Sequence, residues 1–298
     1  RKIVTEFDAD SVKELADIEK VTVHDVKAVE YFIGNRLEAL GLARLKPLVH
    51  FGCTSEDINN LSYAVGIKGA VVDAWLPTAR GLVAKITEMA QENRAVPMLS
   101  RTHGQPATPT TLGKELAVTA HRLTRQLDRI DKTEFLGKIN GATGTYSAHY
   151  SSVPTADWQK VSKGFVEELG LTWNPLTTQI ESHDWQAELY ADVARFNRIL
   201  HNLCTDVWSY ISIGYFVQIP VPGEIGSSTM PHKVNPIRFE NAEANLEISN
   251  ALLDTLAATL VTSRWQRDLT DSSSQRNIGV AFGHSILAIN NVLGGLGR

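Results

Sequence analysis

Apolar residues recur at alternating steps of three and four along most of this chain, which is the spacing of one face of an α-helix. The clearest run extends from Trp185 to Tyr210, another from Leu112 to about Glu134, and a third from Phe239 to Leu260. Shorter helical patterns precede and follow these runs, and no series of alternating strands with regular turns accompanies them. The pattern predicts an all-α protein.

Helices of this length are too long for a small lone domain. About 25 to 35 residues at 1.5 Å each make rods of roughly 40 to 50 Å, which bury poorly by themselves. Rods of that length pack side by side in an elongated bundle, and other subunits often complete such a bundle. We therefore expect a bundle of long helices that is completed by oligomerisation.

A capping pattern marks the start of one of these helices. Thr54 and Asp57 have the spacing of a capping box, so a helix is expected to begin here and to run to about Asn93, with a kink at Pro77. The free N–H groups at its first turn would suit a carboxylate or a phosphate. Ser55 would lie in that turn.

Two further segments interrupt the helical pattern. Thr108 precedes a proline and is expected to be the N-cap of the next helix, with Pro109 as its first residue. Residues 137–145 are rich in glycine but lack the spacing of a phosphate-binding loop, and no strand precedes them. They are expected to form a flexible turn between helices that borders a pocket.

Composition narrows the partners and the compartment. The 298 residues carry a formal charge of −4, with 21% charged and 43% hydrophobic residues, which is ordinary for a globular protein and does not favour a nucleic-acid partner. The two cysteines, Cys53 and Cys204, have no metal-ligand spacing, which favours a reduced, cytosolic compartment. No apolar run was found that approaches the roughly 20 residues of a membrane span, and no signal peptide is expected.

One loop combines conformational freedom with reactive groups. Gly223 and Gly226 permit backbone angles that other residues avoid. Pro231 and Pro236, in the second half of the loop, stop any helix there. Ser227, Lys233 and Asn235 place a hydroxyl, a cation and an amide within a few residues. Loops of this kind on a rigid scaffold tend to carry binding or catalytic sites.

The other loops supply complementary groups. His24 and His103 are candidates for acid–base work near neutral pH, and Arg267 and Arg276 add positive charge to Lys233. This set suits a small polyanion with carboxylate and phosphate groups. No metal-ligand cluster and no serine-hydrolase elbow is visible in the sequence. The neutral hydrogen-bonding candidates are Thr54, Gln179, Asn235 and Asn241.

These residues also carry a family resemblance. Residues 226–236 resemble the Gly-Ser-Ser-x-Met-Pro-x-Lys-x-Asn-Pro loop of the fumarase/aspartase superfamily. The stretches 54–57, 101–108 and 263–268 narrow the resemblance to the adenylosuccinate lyases of the enterobacterial kind. It covers most of the chain, from about residue 24 to residue 283.

The resemblance implies an architecture. It implies a homotetramer with active sites built from three subunits. Family members carry an N-terminal segment with a phosphate-binding Arg-Tyr pair and a C-terminal helical domain, and neither matches here, so the chain is expected to be truncated at both ends. By this matching, residues 1–53 are the remnant of an N-terminal helical domain, residues 54–298 form the central long-helix bundle, and a C-terminal helical domain is missing. The activity of the chain by itself is therefore in question.

The resemblance also implies a reaction and the residues that perform it. The family releases fumarate from adenylosuccinate and from the succinylcarboxamide ribotide of purine biosynthesis, with no cofactor or metal, in the cytoplasm. By matching, His103 is the general acid and Ser227 the general base, while Lys233 and Asn235 neutralise the charge that develops on a carboxylate. The residues matched to the substrate site are His24, Asp25, Thr54, Ser55, Thr102, Gln179, Ser228, Lys233, Asn235, Asn241, Arg267, Ser272 and Arg276.

Two alternatives stay open at this point. A sister lyase of the superfamily would act on argininosuccinate, fumarate/malate or aspartate instead. A non-catalytic structural homologue would keep the fold without the reaction, although the presence of both His103 and Ser227 argues against it. The partners expected are nucleotide substrates and copies of the same chain, with no nucleic acid and no membrane.

Overall fold

The structure, a computed structural model, describes residues 2–223 and 225–298. Arg1 and Glu224 lie outside the described residues. Glu224 belongs to the loop of residues 223–236 that carries Ser227, which we call the reactive loop. The chain divides into two units, and each is described by itself. Unit 1 comprises Arg1–Ile67, Glu134–Ser182 and Arg264–Asp268, and unit 2 comprises Lys68–Thr133, His183–Ser263 and Leu269–Arg298. The boundary expected after residue 53 stays a prediction.

Unit 1 is built from short and medium helices. Helix α2 packs against α3, which contacts a 3-10 turn at Ala43–Leu48, and α8 packs against the parallel pair of two-residue strands β3 and β4. The elements of unit 1 are α1 (Lys2–Thr5), α2 (Ala9–Thr22), α3 (Asp25–Ala39), α4 (Ser55–Gly69), β3 (Leu136–Gly137), α7 (Ser147–Ser152), α8 (Trp158–Glu168) and β4 (Thr172–Trp173).

Unit 2 contains the long helices. Helix α10 packs against both α9 and α12, and α6 packs against α5 and α9. The elements of unit 2 are a π-helical segment (Ala70–Trp75), α5 (Leu76–Glu92), β1 (Pro97–Thr102), β2 (Gln105–Thr111), α6 (Leu112–Ile130), α9 (Asp184–Ser212), α10 (Ile237–Leu260), α11 (Thr270–Gln275) and α12 (Ile278–Leu296). The expected all-α class and the three longest apolar runs are confirmed.

A buried polar network joins the helices of unit 2 within their apolar core. Trp75 Nε1 donates to Ser285 Oγ over 2.8 Å, and Ser285 Oγ donates to Asn197 Oδ1 over 2.7 Å. Asn197 Nδ2 donates in turn to Ser249 Oγ, which donates to the carbonyl of Ala281. A buried polar group without a partner costs free energy. The network therefore favours the one packing of Ala70–Trp75, α9, α10 and α12 in which all of these groups are paired.

The segment expected to cap helix α6 is a hairpin instead. Strands β1 and β2 pair antiparallel, and the prediction that Thr108 is the N-cap was wrong. Thr111 is the N-cap, and its side chain accepts from the backbone N–H of Lys114. The two prolines of β2, Pro106 and Pro109, are tolerated because a two-stranded ribbon leaves every strand an edge strand.

The helix was expected to kink at Pro77, and the structure has an irregularity just before this residue. Six residues before α5, Ala70–Trp75, adopt the wider π-helical turn, and Pro77 occupies the first turn of α5. A proline has no N–H for the carbonyl four residues earlier, so the α-helical ladder is interrupted just before it. The irregularity therefore precedes the proline.

An apolar stretch of the length of a membrane span is present, contrary to expectation. Within Thr270–Leu296, an 18-residue window has a mean hydropathy of 1.3, so this stretch is long and apolar enough to cross a membrane by length and composition alone. Between Arg276 and Arg298 the chain has no Asp, Glu, Lys or Arg. Asparagine, serine and histidine residues interrupt the apolar run there, which is why the sequence analysis missed it. Because 44% of that window is buried and α12 packs on α10, the stretch also fits the core of unit 2.

Candidate active site

His24 is fixed at the start of helix α3. Val23 ends α2 in the left-handed conformation (φ 50°), and His24 then caps α3 by accepting from Lys27 N at Nδ1 over 3.2 Å. Because Nδ1 accepts, Nε2 carries the proton, and it lies 3.4 Å from Ser55 Oγ. Asp25 turns its carboxylate to the N–H of Val26. The structure thus brings two of the predicted site residues, His24 and Ser55, together.

The first turn of α4 is organised by a buried carboxylate. Asp57 Oδ2 accepts from Thr54 N over 2.8 Å, which is one half of the expected capping box. Its other oxygen accepts from Lys138 Nζ over 2.8 Å, and both side chains of this ion pair are fully buried. Burial lowers the pKa of the Lys138 amine, while Asp57 opposes that shift.

Residues 137–145 were expected to form a flexible turn, but the structure holds them in place by hydrogen bonds to the α4 turn. The backbone N–H groups of Asn140 and Gly141 both donate to the Asp57 carboxylate, at 3.0 and 3.1 Å. Asn60 pairs with the backbone of Lys138 in both directions. Asp57 was predicted only as a capping residue, and nothing local in the sequence identified its partner 81 residues away.

A second acidic side chain in the same turn orients an arginine. Arg267 Nη1 lies 2.7 Å from Glu56 Oε1 and 3.5 Å from Gln179 Oε1, and the Glu56 side chain is almost fully buried. Gln179 Nε2 donates to the carbonyl of Ala142 over 2.9 Å. The predicted residues Gln179 and Arg267 are thereby linked to the α4 turn that carries Ser55. The sequence analysis missed Glu56, whose only local signal was its place in the Thr-Ser-Glu-Asp stretch.

These contacts surround the first turn of α4 with polar and charged groups of unit 1. The first turn of α4 presents free N–H groups and the positive end of a helix dipole, and Arg267 adds a guanidinium beside it. Cys53, which precedes this turn, is not a nucleophile there, because burial raises the pKa of its thiol to about 11. The groups here that attract an anion are the first-turn N–H groups and the Arg267 guanidinium, which Glu56 already pairs with.

In unit 2, His103 lies at the tip of the β1–β2 hairpin. His103 and Gly104 both have positive φ, 53° and 74°, as in the two-residue turns that match the twist of a hairpin. Thr102 pairs with Gln105 on either side of this turn. Near the base of the hairpin, Tyr215 donates to the carbonyl of Leu99 over 3.2 Å. The imidazole is exposed, so it is available to a substrate.

Two backbone hydrogen bonds hold the described part of the reactive loop before α10, and the longer one runs from Lys233 N to the carbonyl of Met230 over 3.5 Å. Asn235 N donates to the carbonyl of Gly226 over 3.0 Å, and a Cβ on Gly226 would come within 3.0 Å of Lys233 O. Ser227 Oγ accepts from Met230 N over 3.2 Å, so one loop N–H already faces the hydroxyl that would become an alkoxide. Ser228 is exposed.

The cation and the amide of this loop contact each other. Lys233 Nζ donates to Asn235 Oδ1 over 2.5 Å. This contact uses one of the three protons of the ammonium group and directs the amide N–H₂ of Asn235 away from Lys233. Both groups therefore keep donors for a carboxylate, as the sequence-based assignment requires.

Short helix α11 carries two more predicted residues and rests on a buried histidine. Ser272 N donates to Asp271 Oδ1 over 2.7 Å, and Asp271 Oδ2 lies 3.2 Å from His183 Nε2. His183 begins α9 with positive φ, and Gln186 Nε2 lies 3.3 Å from its Nδ1. Arg276 ends α11 and is exposed. The His183–Asp271 pair was missed, because a histidine before a helix resembles any polar start.

The predicted site residues are thus distributed over both units. His24, Asp25, Thr54, Ser55, Gln179 and Arg267 belong to unit 1, where all but Asp25 are linked around the first turn of α4. Among the described residues, no group of three or more His, Cys, Asp and Glu side chains could bind a metal ion. The predicted residues of unit 2 are Thr102, His103, Ser227, Ser228, Lys233, Asn235, Asn241, Ser272 and Arg276.

Comparison with known proteins adds independent information. A family model described as "Lyase" matches residues 1–248, and one described as "Adenylosuccinate lyase C-terminal" matches residues 263–298. The adenylosuccinate lyase of Escherichia coli is 52% identical over 297 residues, and that of Vibrio cholerae is 51% identical over 298 residues. Each alignment covers 99% of this chain and 65% of the relative, so the chain spans less than two thirds of these proteins. The expected resemblance is confirmed.

Solved structures agree on the fold. The crystal structure of a fumarate lyase from Mesorhizobium superposes with a TM-score of 0.80 at 18% identity, and it covers 96% of this chain and 62% of that one. The 3-carboxy-cis,cis-muconate lactonizing enzyme from Pseudomonas putida superposes with a TM-score of 0.76 at 22% identity and the same coverage. At these identities, the likeness concerns the fold alone.

Proposed function

The chain belongs to the lyase family, and we propose that it carries the activity of an adenylosuccinate lyase. The reaction is the β-elimination of fumarate from adenylosuccinate, which yields AMP, and from the succinylcarboxamide ribotide of purine biosynthesis, which yields the carboxamide ribotide. In this proposal, the two reactions contribute to AMP and IMP biosynthesis. The observation that carries it is the similarity to curated adenylosuccinate lyases along 99% of this chain.

In the proposed mechanism, Ser227 acts on the carbon that loses a proton and His103 on the nitrogen that leaves the neighbouring carbon. Ser227 removes a proton from the succinyl carbon next to a carboxylate, and the electron pair left there forms the double bond of fumarate as the C–N bond breaks. His103 protonates the departing nitrogen. The N–H of Met230 supports this role of Ser227, because a hydrogen bond to the alkoxide lowers the pKa of the hydroxyl.

Charge stabilisation belongs to the cations and donors near these groups. The carbanion that forms when Ser227 removes the proton places extra negative charge on the adjacent succinyl carboxylate. Lys233 and the Asn235 amide neutralise this charge. We assign the remaining anionic group of the nucleotide to Ser272 and Arg276 on α11, and the α4 turn with Arg267 to a further anion of the substrate. Gly223, with φ 88° and open space around it, serves as the hinge on which the loop closes and excludes water.

The proposal includes the assembly and the compartment of the protein. A homotetramer with shared sites accounts for the apolar residues that α12 leaves exposed, such as Val280 and Leu287. The two free cysteines, Cys53 and Cys204, fit the reducing cytoplasm. No cofactor takes part in the proposed chemistry.

A fumarate-release assay tests the proposal. The full protein is incubated in parallel with adenylosuccinate, argininosuccinate, malate and aspartate, and fumarate is followed by its ultraviolet absorbance. We expect release from adenylosuccinate alone. Release from argininosuccinate or aspartate would replace the proposal with a sister lyase, and no release from any of the four would indicate a structural homologue.

A further inference from the structure

Four polar side chains of α10 and α12 form a chain of hydrogen bonds that the proposed mechanism does not use. His284 Nδ1 lies 2.7 Å from Asn245 Oδ1, and Asn245 Nδ2 lies 3.0 Å from Asn241 Oδ1. Asn291 Nδ2 approaches the same Asn241 oxygen to 2.9 Å. Asn241 is one of the predicted substrate-binding residues, so this chain ends at the candidate site.

Backbone carbonyls determine which way each outer amide points. Asn245 Nδ2 lies 2.8 Å from the carbonyl oxygen of Asn241, which can only accept, so this atom must be the nitrogen. The Asn245 oxygen then faces His284, whose Nδ1 must carry a proton. Asn291 Nδ2 lies 2.9 Å from the carbonyl oxygen of Leu287, so it is a nitrogen for the same reason.

These two orientations leave a single one for Asn241. Two N–H₂ groups converge on the same atom of its side chain, and only an oxygen can accept from both. The N–H₂ group of Asn241 must therefore point the other way. No described residue accepts a hydrogen bond from it, and the side chain is exposed.

We propose that Asn245, Asn291 and His284 are positioning residues that fix the Asn241 amide as a hydrogen-bond donor to a carboxylate oxygen of the substrate. Asn241 lies one turn after the start of α10, about 6 Å along the helix from the end of the loop that carries Ser227 and Lys233. The carboxylate next to the reacting carbon is the group that this loop binds. The inference rests on the proposed function and names the donor that orients this carboxylate.

The test compares two neighbouring asparagines of α12. Asn291→Ala removes a donor to Asn241, whereas Asn290→Ala removes the same group from an exposed position with no such contact. We expect Asn291→Ala to raise the KM for adenylosuccinate about fivefold, with kcat changed less than about twofold, since one oriented hydrogen bond is weakened. Inhibition by fumarate should weaken in parallel, while inhibition by AMP stays unchanged.

A double variant separates this role from a merely structural one. If Asn291 acts through Asn241, Asn241→Ala with Asn291→Ala should have the KM of Asn241→Ala alone. Additive effects, equal behaviour of Asn291→Ala and Asn290→Ala, or weaker inhibition by AMP instead of fumarate would each overturn the inference. Failure of the proposed function would appear earlier, as no fumarate release by the unaltered protein.

Discussion

The first turn of α4 and the loop that carries Ser227 both hold predicted site residues, yet they are built in opposite ways. At α4, the Asp57 carboxylate accepts from Lys138 and from three backbone N–H groups, and both ionic side chains are fully buried. In the described part of the loop, Lys233 is exposed, and the backbone is held by the hydrogen bond from Asn235 N to Gly226 O and the longer one from Lys233 N to Met230 O.

This difference separates recognition from chemistry. Groups that bind a fixed anion gain from rigid placement, because no ordering free energy is then lost on binding. A loop that supplies the base has to admit the substrate and then exclude water, so few internal contacts should restrain it. We expect substitutions near Asp57 to change stability, and substitutions in the loop to change turnover.

The largest effect should come from the two proposed proton-transfer residues. Ser227→Ala and His103→Ala should each lower kcat for fumarate release by at least about 1000-fold, because a general acid or base is lost. The melting temperature should be unchanged, since His103 is exposed and the one hydrogen bond of the Ser227 hydroxyl among the described residues is the weak one from Met230 N. Thr229→Ala is the control and should keep turnover within about twofold. Near-normal turnover in either variant would mean that its role is misassigned.

Asp57→Ala should produce the largest loss of stability. It leaves the Lys138 ammonium buried without its partner, which costs about 3 to 5 kcal/mol in the free energy of unfolding. Adding Lys138→Met should recover part of this loss. Glu88→Ala, which breaks the exposed pair with Lys85, should cost less than about 0.5 kcal/mol. Urea unfolding measures all of these variants, and similar losses for Asp57→Ala and Glu88→Ala would contradict the comparison.

Two glycines sharpen the comparison at smaller magnitude. A Cβ on Gly144 would lie 2.2 Å from the carbonyl oxygen of Thr177, while nothing lies within 4 Å of a Cβ on Gly223. Both have positive φ, so each alanine adds about 1 to 2 kcal/mol of backbone strain, and only Gly144→Ala adds a backbone clash. Gly144→Ala should therefore lower the urea midpoint more. Equal midpoints would show that unit 1 relaxes as freely as the loop.

The smallest effect should be a pH dependence from His149. Its ring is buried against Tyr146 and Trp158, and this burial lowers its pKa from the ordinary 6.5. Below pH 6.5 the unfolded chain binds a proton that the folded chain does not, so stability should fall as the pH drops toward the lowered pKa. His149→Gln should flatten the urea midpoint between pH 7.5 and pH 5.5, and an unchanged slope would exclude His149 as the cause.

Much of the secondary structure followed from local patterns. The start of α4 and the long runs of α9 and α10 agree with the spacing of apolar and capping residues. The β1–β2 hairpin did not, because its proline-rich strands lack the alternation of a half-buried sheet. Segment 137–145, whose first half is largely buried, was expected to be flexible because glycines that permit close packing also permit disorder.

By itself, the sequence determined the all-α class and identified the chemical groups, because helical periodicity and the Gly-Ser-Ser-x-Met-Pro stretch are local properties of the chain. Only the tertiary structure decided what positions those groups. The partners of Asp57, Glu56 and His183 lie far away in sequence, and buried charges pair according to the space around them. The orientation of the Asn241 amide was decided in the same way, by two backbone carbonyls on neighbouring helices.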